Sequence, residues 1–149
     1  MLTQKALDIA NYFIEIASKI DENDLTNLKL QKLLYLTQGK YIAEKGEGLF
    51  TDDIEAWNLG PVVRNVYNTF KRCGAFPITA FDVKVEAQEL SDDKKRFIEK
   101  IWNEYAKYSA SYLVDLAHNS TPWEKAYKSS SKIISNEEML AYFRKNKLT

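Results

Sequence analysis

The sequence predicts a mainly α protein: a single compact multi-helix domain over residues 1–149, with a small β hairpin or irregular arm near the middle. Three observations carry that prediction. Apolar residues recur at spacings of three and four along most of the chain, and Ser, Thr, Asp or Asn stands ahead of most of these runs. One central stretch alternates instead. Hydrophobic side chains make up 45% of the 149 residues and aromatics 13%, enough for one core of ordinary size without metals or disulfides.

A Thr3 cap opens the first helix, whose broad buried face runs through Ala6, Leu7, Ile9, Ala10, Phe13, Ile14, Ile16, Ala17 and Ile20. The polar run Asp21 to Asp24 ends it. Thr26 or Asn27 caps a second helix carrying Leu30, Leu33, Leu34, Thr37 and Tyr41, which Gly46 and Gly48 stop. A short extended segment is expected within Asp53 to Leu59. Gly60-Pro61 then opens a third helix, with proline where the missing N–H is no loss. Its apolar face is Val62, Val63, Val66, Tyr67 and Phe70; Arg64, Asn65, Asn68, Lys71 and Arg72 form the other, and Gly74 closes it.

From Ala75 to Leu90 the alternation in Phe76 to Thr79 and Phe81 to Val85 predicts the hairpin or arm. Ser91 or Asp92 caps a fourth helix with Phe97, Ile101, Trp102, Tyr105 and Tyr108, and Ser109 a fifth with Tyr112, Leu113, Leu116 and Ala117. Pro122-Trp123 opens a short sixth, and the Ser135/Glu138 spacing of a capping box opens the last.

The chemistry-bearing residues are few. His118, the only histidine, sits near Asp115, Asn119 and Ser120, but a site needing two histidines is excluded. With one cysteine, Cys73, neither an internal disulfide nor a multi-cysteine zinc site can form. Asp52, Asp53 and Glu55 read as a solvated turn beside a glycine loop, and the glycines match no phosphate-binding or dinucleotide pattern. No catalytic residue, cofactor or metal is therefore expected. The 21 basic and 21 acidic residues balance, which disfavours direct DNA binding, as does the long connection between the second and third helices. No run near ~18 apolar residues predicts a membrane span, and no leader is visible, so a cytoplasmic protein is expected.

The strings Leu28-Lys29-Leu30-Gln31-Lys32-Leu33-Leu34-Tyr35 and Ile54-Glu55-Ala56-Trp57-Asn58-Leu59-Gly60-Pro61-Val62-Val63, followed by Val66-Tyr67, resemble the Panacea domain family of SocA-like antitoxins, also described as phage-associated or genetic-element proteins. Leu116-Ala117-His118 and Thr121-Pro122-Trp123 are similar to its C-terminal half, and the resemblance spans nearly the whole chain. Leu59 stands where the family pattern implies an aromatic ring. The resemblance leaves no room for the DNA-binding module to which such antitoxins are often fused.

It implies a non-enzymatic antitoxin that neutralises a cognate toxin by direct protein binding. The alternatives are an adaptor delivering the toxin to an ATP-dependent protease, or a mobile-element-associated regulatory binding protein. Gln31, Lys32, Tyr35, Trp57, Arg64 and Tyr67 are the expected partner-binding residues. Gln31 and Tyr35 are spaced i,i+4 with Lys32 beside them, at the flank of a leucine stripe, where they can bond neighbouring loops or meet a partner. The oligomeric state is left open.

Overall fold

In the computed structural model, which describes residues 4–83 and 88–146, helix α2 (Asn27–Lys45) is the axis on which the other elements pack. Every residue from Lys29 to Gly39 is buried, so this helix has no solvent face over three turns. The Thr26 hydroxyl accepts the Lys29 N–H at 3.2 Å, and Gly46 ends the helix at φ 81°, a left-handed position suited to glycine.

Helix α1 (Ala6–Ala17) packs against α2 and buries Ile9, Phe13 and Ile14. Its expected cap, Thr3, lies outside the described residues. The observed start is made by acids: Asp8 accepts the Lys5 N–H and Asp52 the Ala6 N–H, both at 2.9 Å. Ile20 does not extend the buried face, because the helix stops at Ala17 and leaves Ile20 exposed.

The short extended segment expected within Asp53 to Leu59 is observed, but the rest of the β structure differs from expectation. Strands β1 (Ile54–Trp57) and β2 (Gly60–Val62) form an antiparallel hairpin with Trp57 opposite Gly60, and β3 (Ile133–Ile134) pairs with the other edge of β1, in the order β2-β1-β3. Gly60-Pro61 therefore belongs to a strand and does not open a helix. Gly60 has φ 106°, which no helix accommodates, and Pro61 sits on an edge strand, where it removes no ladder bond. Helix α3 (Arg64–Phe70) starts four residues after Gly60, and a 3-10 turn, Lys71–Cys73, follows it.

Of the hairpin or irregular arm expected at residues 75–90, the described residues form the irregular arm, with no strand among them. Ile78 is buried and donates its N–H to Leu25 O at 2.8 Å, Phe76 and Phe81 are exposed, and Ala80–Asp82 form a 3-10 turn. Residues 84–87 of that stretch lie outside the described ones.

The C-terminal half follows its caps. Ser91 opens α4 (Asp92–Tyr105), Ser109 opens α5 (Ala110–His118) and Ser135 opens α7 (Asn136–Lys145), each hydroxyl accepting an N–H three residues on. Between them α6 (Thr121–Lys128) carries Pro122 in its first turn. Helix α7 packs on α2, and a Cβ at Gly39 would overlap the Phe143 ring. The missing side chain sets the distance between these two helices.

Candidate functional site

The β1–β2 hairpin is held from two sides. From below, α2 closes the outer edge of β2 with side chains: Gln31 Oε1 accepts the Val63 N–H and Lys32 Nζ donates to Pro61 O, both at 2.9 Å. An open strand edge normally presents such groups to solvent, so α2 stands in for a fourth strand. Gln31 Nε2 also donates to Asn27 Oδ1 (2.9 Å), and Asn27 Nδ2 to Tyr67 O (3.0 Å), tying the hairpin to α3.

Lys32 is fully buried and makes no ion pair among the described residues. Desolvation lowers its pKa to about 7, since an ammonium with one carbonyl for company is poorly compensated. Its stem fills the space beside Gly60, where a Cβ would meet Lys32 Cε at 2.7 Å. Tyr35, one turn on, is also buried. The Ser120 hydroxyl gives its proton to Ala117 O (2.6 Å), so the Tyr35 phenol is the donor in its 2.7 Å bond to Ser120 Oγ. Burial raises the Tyr35 pKa and keeps that proton in place.

From the other side, α5 and α6 grip the turn. Trp123 Nε1 donates to Trp57 O (3.0 Å), and His118 Nε2 bonds Asn58 O (2.7 Å). A carbonyl only accepts, so Nε2 carries a proton. The rings form one column: His118 stacks on Trp123 at 4.1 Å and Trp123 on Tyr127 at 4.7 Å between centroids. Lys132 Nζ lies 4.6 Å from the Tyr127 ring centre. His118 thus bonds a residue 60 positions away in sequence, and the cluster with Asp115 and Asn119 considered from sequence is not what holds its ring.

The outward face is different in character. Trp57 meets the Tyr67 ring edge-on at 5.0 Å, while the Arg64 guanidinium lies 5.2 Å from the Trp57 ring. Glu55 joins them, accepting from Arg64 at 3.0 and 2.7 Å and from Trp57 Nε1 at 3.0 Å. The Arg64 hydrogen bonds hold the Glu55 carboxyl below its ordinary range. At the tip, Leu59 leaves 56% of its surface exposed.

The six residues singled out from sequence therefore gather around one hairpin but divide by depth. Trp57, Arg64 and Tyr67 reach the surface; Gln31, Lys32 and Tyr35 are interior, bonding neighbouring backbone and Ser120, because α2 is enclosed on every side. Sequence reading missed Asn58 and Tyr127 as parts of the grip. The signal was the Thr121-Pro122-Trp123 string, whose tryptophan reaches back to Trp57. Among the described residues no group of three or more His, Cys, Asp or Glu side chains is arranged to hold a metal ion, and no helix is long and apolar enough to cross a membrane.

The clamped hairpin thus presents aromatic and charged side chains at the surface of an α-helical frame. The chain belongs to the family described as antitoxin SocA-like, Panacea domain, whose model matches residues 30–124, from within α2 to just past Trp123. It is 32% identical over 126 residues to a protein named Antitoxin SocA from Caulobacter vibrioides (strain NA1000 / CB15N), the match covering 78% of this chain. The chain spans 66% of that relative's length. No solved structure matches it.

Proposed function

We propose that this protein is an antitoxin that neutralises a cognate toxin by binding it directly, without catalysis. The observation that carries the reading is that the family match, residues 30–124, contains the hairpin and nearly all of the side chains that clamp it. Trp57, Arg64 and Tyr67 are the contact residues in this reading, because large rings and arginine anchor protein interfaces. Gln31 and Lys32 hold the hairpin from beneath and Tyr35 holds the α5–α6 junction that grips it, so that little ordering is left to do on binding.

The test is to express the product of the adjacent reading frame with and without this protein, following growth, toxin level and co-purification. Growth arrest relieved with both proteins recovered as a complex supports sequestration. Relief accompanied by loss of the toxin, abolished in a strain lacking the responsible ATP-dependent protease, makes the protein an adaptor. A harmless neighbour that forms no complex overturns the antitoxin reading. Arg64→Glu, which reverses an exposed charge, is expected to weaken rescue while the protein remains folded by circular dichroism.

A further inference from the structure

Beside the hairpin tip lies a groove of about 490 Å³ between the β1–β2 turn and the end of α3. Leu28, Trp57, Leu59 and Val62 supply its apolar wall. The polar groups along that wall are largely engaged within the protein: Asn27 with Gln31 and Tyr67 O, Gln31 with Val63 N, Trp57 Nε1 with Glu55, and Asn58 through its carbonyls with His118 and Tyr127.

What remains is one-sided. Tyr67 and Lys71, four residues apart, both line the groove, and the Tyr67 hydroxyl and the Lys71 ammonium have no hydrogen bond or ion pair among the described residues. Both are donors. Lys71 is the one charged side chain lining the groove, whereas the charge of nearby Arg64 is already matched by Glu55. An occupant that satisfies this surface brings apolar bulk to the wall and a carboxylate to these donors.

We infer that the groove is the docking site for an acidic, apolar segment of a partner protein, a bulky apolar side chain entering between Trp57, Leu59 and Val62 and a neighbouring carboxylate meeting Tyr67 and Lys71. The inference rests on the toxin-binding reading for the partner's identity and adds the chemistry of the segment recognised. Leu59 fits the role physically. It is a large aliphatic side chain held in water at the tip of a turn whose backbone is fixed on both sides.

The test needs no toxin. A random dodecapeptide phage library is panned on the immobilised full chain, and selected peptides are synthesised and titrated against the wild type, Leu59→Asp, Lys71→Glu and, as a distant surface control, Lys19→Glu. Peptides pairing a bulky apolar residue with Asp or Glu, losing roughly tenfold or more in affinity with Leu59→Asp and Lys71→Glu but not with Lys19→Glu, support the inference. Basic or purely polar peptides, peptides indifferent to both variants, or no enrichment overturn it. The neighbouring-frame product is then titrated against the same variants. If it binds wild type, Leu59→Asp and Lys71→Glu equally, the groove is not the neutralising surface and the antitoxin reading stands. If it binds none of them, the antitoxin reading falls while the peptide result is judged on its own.

Discussion

Replacing Lys32 by methionine should invert the protein's stability ranking between pH 7 and pH 10.5. The lysine has a folded pKa of about 7 against 10.5 when free, so between these values the unfolded chain holds a proton that the folded chain has released. Unfolding then binds protons, and wild-type stability rises with pH from about 7 to 10.5, by about 5 kcal/mol over the whole window. Methionine has no such titration. It fills a similar volume but leaves Pro61 O without its donor, a loss of about 1–3 kcal/mol at every pH. Near pH 7 the variant should be the more stable by about 2–4 kcal/mol; near pH 10.5 it should be the less stable by about 1–3. Urea unfolding at fixed ionic strength, followed by circular dichroism at several pH values from 7 to 10.5, measures both curves. Taking their difference cancels the titration of other groups, including the buried tyrosines. Parallel curves would refute the reasoning, because they would mean that Lys32 enters the fold with its ordinary proton affinity.

Gly39→Ala should be destabilising by about 3 kcal/mol, because its Cβ would overlap the Phe143 ring, and Phe143→Leu in the same chain should recover a large part of the loss in urea unfolding. Trp123→Phe keeps the stacked column but removes the donor to Trp57 O. It should lower stability by about 1 kcal/mol and speed amide hydrogen exchange in the hairpin more than in α1.

Helices were legible where a cap and a single apolar face coincide, as in α4, α5 and α7, each opened by a serine hydroxyl. The hairpin was not, because Gly-Pro is a good helix opening as well as a good turn exit, and only Gly60's φ of 106° decides between them. β3 is two residues long and pairs with a strand some 80 positions earlier, beyond the reach of local alternation. For the candidate site, the strings around Lys32 and Trp57 pointed to the correct region, but depth was unreadable. Periodicity assigns Lys and Gln to a polar face, yet in α2 Lys32 and Gln31 meet backbone groups of Pro61 and Val63 instead of water.

The closure of β2 by Gln31 and Lys32 limits how any visitor can be recognised. Strand addition relies on backbone groups that every sequence possesses, and it is the route by which unrelated extended chains join a sheet edge indiscriminately. Here that edge is already occupied from within, and the opposite edge strand offers only Ile133 and Ile134. A visiting chain must therefore be read through the identity of its side chains, which gives a small domain a way to tell one protein from the many others that pass it.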